Sequence, residues 1–196
     1  MGALLLSRSN QQENAVAQAE VEEVMPQLVQ QIRENTETEE TIPEDETIPE
    51  LELQIPVELL TEEDKEMTEV EIKDNRYIGF LSIPDLGLEL PIMSTWSYPQ
   101  LNIAPCRYTG SVRGEDLVLM AHNYDSHFGR LSQLDLGDGV SFTDMDGQTI
   151  YYEVVGKDVL DPSAVEEMTS GAFDLTLFTW TYGGGSRITV YCDRIK

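Results

Sequence analysis

The chain has 196 residues, of which 40% are apolar, enough for one domain with a substantial core and an appended segment. Its formal net charge of −25 at pH 7 argues against polyanionic partners, namely nucleic acid and anionic lipid. No apolar run is as long as a membrane-spanning helix.

The negative charge is unevenly distributed along the chain. Residues 1–76 contain 21 acidic and 5 basic residues, a balance of −16, whereas residues 77–196 contain 16 and 7, a balance of −9. We therefore predict an acidic N-terminal arm over residues 1–76 and a more conventional domain over residues 77–196.

The arm begins with an apolar stretch and a helical pattern. GALLL, at positions 2–6, is interpreted either as the stub of a removed membrane helix or as a frayed terminus. A helix is predicted over about residues 11–35, and Pro26 is expected to kink or restart it. Its apolar residues recur every three or four positions: Ala17, Val21, Val24, Met25, Leu28 and Ile32. This apolar stripe is thin, so the helix needs a surface to pack on.

An extended acidic linker is predicted over about residues 36–60. The unit ETIPE occurs twice, at Glu40–Glu44 and Glu46–Glu50, and this composition favours a solvated segment without periodic structure. Two interpretations stay open, a stalk that acts as a spacer or an arm that docks back on the domain. Thr61 begins TEED, which predicts the N-cap of a short helix.

From Tyr77 onward the pattern is that of β-structure. Short apolar or alternating runs predict strands, and Asp146-Gly147 predicts a hairpin turn. The predicted strands lie in YIGFLSIP, LELPIM, DLVLMAH, SFTDMDGQTIYYEVVGKDVL, LTLFTW and SRITVYCDRI. HFGRLSQL and DPSAVEEM predict short helical turns. Many strands with few helices predict a mainly β domain, a barrel or a sandwich.

Three candidate functional side chains lie at the ends of predicted strands. His122 ends one predicted strand, Trp180 ends another, and Arg187 opens the next after the glycine turn 183–185. Each has an ordinary explanation by itself: a structural histidine, a rim aromatic and an arginine covering a strand edge. Together they predict a groove in which the three groups meet.

The order of these motifs resembles the sortase family of Gram-positive cysteine transpeptidases. The resemblance covers about residues 77–194, through YIGFLSIPDLGLELPI, LVLMAHN and LTLFTWTYGGGSRITVYCDR. It implies an eight-stranded sortase-like β-barrel with short helices, and no cofactor. No cysteine or third histidine stands at ligand spacing from the two histidines, which argues against a metal site built on them, while calcium dependence stays open. The resemblance implies cleavage of a C-terminal sorting signal, LPxTG-like, at the Thr-Gly bond, and transfer to an amine of the cell wall or a pilin. The implied location is the extracellular face of the membrane, with the native form anchored by an N-terminal helix that has been removed from this chain.

The resemblance also assigns roles to individual residues. TLFTW matches the family segment T-L-x-T-C except at its last position, which places Trp180 at the nucleophile position. His122 is then the general acid, and Arg187 donates hydrogen bonds to substrate carbonyls and to the developing oxyanion. The substrate-binding residues implied with them are Asn123, Thr179 and Tyr182.

The indole at position 180 differs from the cysteine that the family has there, and this cysteine is the nucleophile of the reaction. An indole has no sulfur and cannot form a thioester. We therefore predict that the chain as written is an inactive transpeptidase. A deliberate Cys→Trp change or a natural pseudoenzyme would explain it, and a non-catalytic peptide-binding module is the alternative function. A structural protein that self-associates through the helix of residues 11–35 is a third.

The other candidate nucleophiles are interpreted as structural. Strand alternation places Cys192 on the face opposite Arg187, while Cys106 lies in the loop-like stretch NIAPCRYTG. The two cysteines form a disulfide or remain buried thiols. Ser186 is expected to be a turn residue and His127 a surface or capping residue. From the resemblance we also expect part of Thr41–Pro56 to contact the cleft, with its carboxylates attracted to Arg187.

Overall fold

The computed structural model describes residues 2–39, 61, 65–181 and 183–195, and the side chains among them from residue 11 to residue 37 and from residue 61 onward. The contact expected for Thr41–Pro56 and the predicted substrate-binding residue Tyr182 lie outside the described residues, as do most of the acidic linker and of the short helix predicted at Thr61. No helix within the described part of the chain is both long and apolar enough to span a membrane.

The described elements are one long helix, two short α-helices, two 3-10 turns and nine strands. In chain order they are α1 (Gly2–Glu39), β1 (Val70–Ile72), β2 (Asn75–Ile83), a 3-10 turn (Pro84–Leu86), β3 (Leu88–Met93), α2 (Tyr98–Leu101), β4 (Cys106–Thr109), β5 (Leu117–Met120), a 3-10 turn (Leu131–Gln133), β6 (Gly139–Asp144), β7 (Thr149–Leu160), α3 (Val165–Met168), β8 (Leu175–Trp180) and β9 (Arg187–Arg194).

Eight of the strands close into a barrel. Their order is β2-β3-β4-β5-β8-β9-β7-β6, and β6 pairs back with β2 through Phe80 and Thr143. β1 is the ninth strand of the sheet and pairs only with the beginning of β2. The prediction of a mainly β, eight-stranded barrel with short helices is therefore confirmed. Closure leaves few free strand edges, which an open sheet would have to protect.

Alternation along the strands produces the barrel core. In β8, Leu175 and Leu177 lie in the interior cluster, while Phe178 belongs to a second cluster outside the barrel wall. In β9, Val190 and Cys192 lie in the interior cluster. This two-residue period is what a pleated strand with two different faces requires.

The second cluster is covered by α1. Val24, Leu28 and Ile32 of α1 pack there with Tyr77 of β2, and each is nearly or fully buried. Further along α1, the Asn35 side-chain amide donates to the carbonyl oxygen of Met145 at 3.0 Å. The apolar stripe predicted for this helix therefore packs against the outside of the barrel.

Three local predictions need correction. α1 is longer than residues 11–35, so residues 36–39 are helical rather than extended, and α1 continues through Pro26 without a restart. The helix tolerates Pro26 because its apolar face packs on the barrel, and these tertiary contacts outweigh the local cost of a proline. The stretch predicted to be loop-like around Cys106 contains strand β4. The division of the chain at Tyr77 stays a prediction.

Candidate active site

Three neighbouring strands determine the position of the candidate site. β5 and β8 run parallel, with Met120 opposite Phe178, so the residues that follow β5 emerge beside the end of β8. β8 and β9 run antiparallel, and Trp180 is paired with Arg187. This register brings His122, Trp180 and Arg187 to one end of the three strands.

The imidazole and the indole lie next to each other. The ring centroids of His122 and Trp180 are 6.4 Å apart, with the ring planes tilted by 45°. The hydroxyl of Thr179 donates to the carbonyl oxygen of Ala121 at 2.8 Å. Because Thr179 precedes Trp180 and Ala121 precedes His122, this bond fixes the two chain segments relative to each other. Thr179 is fully buried, and a substrate-binding role for it stays a prediction.

Arg187 reaches the same region from β9. Its guanidinium carbon lies 5.5 Å from the centroid of the Phe178 ring, which in turn makes an edge contact with Trp180 at 6.1 Å. Nη1 of Arg187 lies 3.6 Å from the sulfur of Met168 in α3. Within the described part of the chain, the buried Nε of Arg187 has no hydrogen-bond partner. A buried donor without an acceptor is uncommon and leaves hydrogen-bonding capacity for a ligand carbonyl.

The glycine turn between β8 and β9 has a defined conformation. The amide of Thr181 donates to the carbonyl of Ser186 at 2.8 Å, and the amide of Gly184 donates to the carbonyl of Thr181 at 2.9 Å. Gly183 and Gly184 have φ values of 88° and 71°, which side chains with a Cβ rarely adopt. The amide of Ser186 donates to the hydroxyl of Thr181 at 3.1 Å, in keeping with the turn role predicted for Ser186.

A cavity of about 210 Å³ opens between this turn and the end of β5. His122, Asn123 and Trp180 line one part of it. The remaining lining residues are Tyr98, Leu101, Thr181, Gly183 and Gly184. The structure thus brings the predicted Asn123 into the same cavity as His122 and Trp180, and Tyr98 and Leu101 are lining residues that the sequence alone did not indicate.

The environment of His122 is aromatic and partly buried. Tyr124 stacks on its ring, with centroids 4.8 Å apart and planes 25° apart. Burial lowers the pKa of His122, and the carboxylate of Glu13 in α1 opposes that shift. The hydroxyl of Tyr124 donates to that carboxylate at 3.4 Å. The helix outside the barrel is therefore connected through Tyr124 to the neighbourhood of the imidazole.

His127 was predicted to be a surface or capping residue, and this prediction is wrong. Its side chain is fully buried next to Tyr124, and within the described residues neither ring nitrogen has a hydrogen-bond partner. Burial, and secondarily the charge of His122, lowers its pKa to about 4. The loop turns inward because the amides of His127 and Gly129 both donate to the carbonyl of Tyr124. The backbone amide of Ser126 donates to the side-chain oxygen of Asn14 in α1 at 3.0 Å.

Both cysteines are buried free thiols. Burial raises the pKa of Cys106 and of Cys192 to about 12, so neither is a thiolate near neutral pH. Cys192 lies in the interior cluster with Val190, on the face opposite Arg187, as strand alternation predicted. Among the described residues, no group of three or more His, Cys, Asp or Glu side chains is arranged to hold a metal ion.

Comparison with known proteins identifies the family. The protein-family model of the sortase domain matches residues 81–195 of this chain. Sortase C1 of GBS Pilus Island 1 aligns with a TM-score of 0.54 and 23% identity, covering 65% of this chain and 67% of that one. Sortase C1 from Streptococcus suis aligns with a TM-score of 0.53 and 26% identity, covering 61% and 73%.

A third structure aligns with nearly the whole chain. Sortase C from Clostridium perfringens SM101 aligns with a TM-score of 0.53 over 97% of both chains, at 21% identity. At this level of identity the alignment shows a common fold and no more, and it includes the part of the chain that contains α1. Among curated protein sequences, none matches this chain.

Proposed function

Because the chain belongs to the sortase family of cysteine transpeptidases, we propose that the groove beside Trp180 is a sorting-signal site whose nucleophile position is residue 180. The observation that carries the proposal is the convergence of His122, Trp180 and Arg187 at the ends of β5, β8 and β9. These are a proton donor, a position for a nucleophile and a forked hydrogen-bond donor, the set that acyl transfer requires.

With a cysteine at position 180, the first half of the reaction follows from this arrangement. The thiolate attacks the carbonyl carbon of the Thr-Gly bond, and a carbon–sulfur bond forms while the carbonyl electrons move to oxygen. Arg187 donates to that oxyanion, for which its unpaired Nε is available. When the tetrahedral intermediate collapses, the carbon–nitrogen bond breaks and His122 gives its proton to the departing amine.

Trp180 prevents this reaction in the chain as written. An indole offers only an N–H donor and cannot form the thioester. Its ring is partly buried and packs against Phe178, so it also occupies volume at the centre of the site. We therefore expect no transpeptidase activity from this chain, whether the tryptophan arose by design or in a natural pseudoenzyme.

Asn123, Thr179 and Tyr182 retain the substrate-binding roles implied by the family. Asn123 lines the same cavity as His122 and Trp180, which supports its role. The partner is a surface protein carrying an LPxTG-like sorting signal, and the acceptor is an amine of the cell wall or of a pilin. Sortases act at the cell wall of Gram-positive bacteria, and we place this chain at the outer face of the membrane.

A non-catalytic peptide-binding function is the second candidate. Arg187 still presents a buried donor without a described partner, and the cavity beside Asn123 is open next to the indole. A pseudoenzyme would use these groups to hold a sorting signal without cleaving it. Measurable binding to the chain as written, with no turnover after Trp180→Cys, would select this function.

The test of the proposal uses Trp180→Cys and a matched variant, Trp180→Ala. Both substitutions remove the indole, but only the first supplies a thiol. With a panel of sorting-signal peptides, we expect cleavage at the Thr-Gly bond by Trp180→Cys alone, and equal or tighter binding by Trp180→Ala than by the original chain. Cleavage by neither variant, with both folded, would contradict the catalytic proposal.

We also propose that the acidic segment Thr41–Pro56 contacts the cleft, because its carboxylates complement the charge of Arg187. The segment should be removed alone, since α1 buries apolar residues on the barrel and its loss would expose them. Deletion of residues 41–56 in the Trp180→Cys background is expected to raise the cleavage rate. An unchanged rate would favour a spacer role for this segment.

A further inference from the structure

A second cavity lies on the side of His122 where α1 crosses the barrel. Its volume is about 440 Å³. α1 contributes Gln12, Glu13 and Val16, and the barrel contributes Asn102, His122 and Tyr124. Neither Trp180 nor a residue of the glycine turn is among its lining residues, whereas His122 lines both this cavity and the smaller one beside Trp180.

Acyl transfer uses two amines in succession at the same imidazole. The first amine leaves with a proton from His122, and the second must lose a proton to His122 as it attacks the acyl group. The second amine therefore needs a route to the imidazole while the acyl chain still occupies the groove beside position 180. A cavity that shares His122 but not Trp180 provides such a route.

The wall contributed by α1 carries a negative charge suited to an ammonium group. The carboxylate of Glu13 accepts the hydrogen bond of the Tyr124 hydroxyl, and the Tyr124 ring is stacked on His122. A carboxylate and an aromatic face beside one another form a favourable environment for a primary ammonium.

We propose that this cavity, between α1 and the loop from His122 to Tyr124, is the binding site for the acceptor amine, with Glu13 as its ammonium ligand. The inference rests on the proposed sortase function and names the second substrate's site. The ligand is a primary ammonium on a short peptide, from either a chain N-terminus or a lysine-like side chain.

The chemical step at this site balances with His122 and solvent water as the two proton acceptors. The bound ammonium first gives one proton to water and becomes a neutral amine. The amine nitrogen then attacks the thioester carbonyl carbon and gives its second proton to the neutral imidazole of His122. A carbon–nitrogen bond forms and the carbon–sulfur bond breaks, and the electron pair of that bond leaves with sulfur, so the thiolate and the imidazolium are regenerated.

Binding can be tested in the chain as written, without a nucleophile. The chain has only 2 histidines, so the ring NMR signals of His122 can be assigned by comparison with His127→Phe. The probes are glycinamide and Nα-acetyl-lysine amide, with N-acetylglycinamide as the control without an ammonium group. We expect a saturable shift of the His122 signals with one or both amines and none with the control; absence of any amine-dependent shift would overturn the proposal.

Two isosteric variants of α1 separate the local effect of Glu13 from general charge. Glu13→Gln removes the charge in the cavity, and Glu22→Gln removes an equal charge from the same helix at the rim of a different cavity. Amine binding is expected to weaken by about threefold to tenfold in Glu13→Gln and to stay unchanged in Glu22→Gln. Equal weakening in both variants would contradict a specific site.

The same variants can be examined for transfer in the Trp180→Cys background. Glu13→Gln is expected to lower the ratio of transfer to hydrolysis by about threefold to tenfold, because both reactions use His122 and only transfer uses the bound amine. Val16→Trp, which fills the cavity from the helix, should have the same selectivity. If both rates fall and their ratio stays unchanged, Glu13 acts only through the imidazole and the acceptor site is refuted. Failure of Trp180→Cys to cleave any peptide counts against the proposed function. The binding titration still decides, independently of cleavage, whether the cavity binds an amine.

Discussion

Inside the barrel, β8 and β9 contribute aliphatic side chains that are packed to near-complete burial, whereas on the outer face the same strands contribute an indole that lines a cavity, a buried phenyl ring and a guanidinium. Leu177 and Val190 represent the first environment, and Trp180 and Arg187 the second. The interior face is filled mainly by apolar side chains, while on the outer face the Nε of Arg187 has no described hydrogen-bond partner. Substitutions on the two faces should therefore change different measurable quantities.

The largest expected effect is on the interior face. Leu177 is fully buried in the barrel, so Leu177→Ala should lower the free energy of unfolding by about 2–5 kcal/mol through lost burial and a residual cavity. Urea denaturation measures this difference. Val159→Ala on the exposed side of β7 is the control and should change it by less than about 0.5 kcal/mol. Similar losses in both variants would refute the division into two faces.

The next effect sharpens the comparison through pH. The folded chain lowers the pKa of His127 to about 4 from its ordinary 6.5, so the unfolded chain binds more protons between those values. The contribution of neutral His127 to the free energy of unfolding is therefore fully present above pH 6.5. It is lost as the pH falls toward 4, which lowers that free energy by roughly 3 kcal/mol.

This dependence is measured by urea denaturation of the original chain and of His127→Phe across that pH window. The variant keeps an aromatic ring but cannot be protonated, so its stability should fall less steeply with decreasing pH. Parallel pH profiles for the two proteins would mean that the buried imidazole is not the titrating group.

On the outer face, the effect should appear in activity rather than in stability. In the Trp180→Cys background, Arg187→Lys keeps a positive charge but loses the planar fork, and kcat/KM should fall by about 10²-fold. The unfolding free energy should change by less than about 1 kcal/mol. Arg113→Lys, at an exposed ion pair with Asp146, is the matched control. A large loss of stability without a selective loss of activity would assign Arg187 to structure.

The smallest effect tests the connection between the two segments of the site. Thr179→Val keeps the side-chain shape but leaves the carbonyl of Ala121 without its hydroxyl donor, at a cost of about 1 kcal/mol. Thr179→Ser restores the donor and should recover most of the cost. If both variants bind sorting peptides as the original does, a direct substrate contact of Thr179 is excluded.

Local patterns predicted much of the molecule. The alternation in LTLFTW and SRITVYCDR, with the glycine turn between them, predicted a hairpin, and the structure pairs Trp180 with Arg187 across it. The apolar stripe of α1 predicted a packed helix because its spacing follows the helical period. These features depend on neighbours in sequence, so single-sequence reasoning can identify them.

The remaining features depend on contacts between distant segments. The pairing of β2 with β6 closes the barrel across more than fifty residues. Burial of His127 depends on Tyr124 and the course of its loop, and no periodic signal in that segment indicates it. The cavity bounded by Glu13 and Tyr124 exists only because α1 packs against the barrel. The hydrogen bond between these two residues joins positions that are 111 residues apart in the sequence.

The most direct measurement of the central claim is the mass of the Trp180→Cys protein after incubation with a sorting-signal peptide. We predict a mass increase equal to the peptide fragment ending at the threonine, attached at position 180 and released by hydroxylamine. The same adduct should be absent from Trp180→Ala. A folded Trp180→Cys protein that binds the peptide but never acquires this mass would contradict the assignment of residue 180 as the nucleophile position.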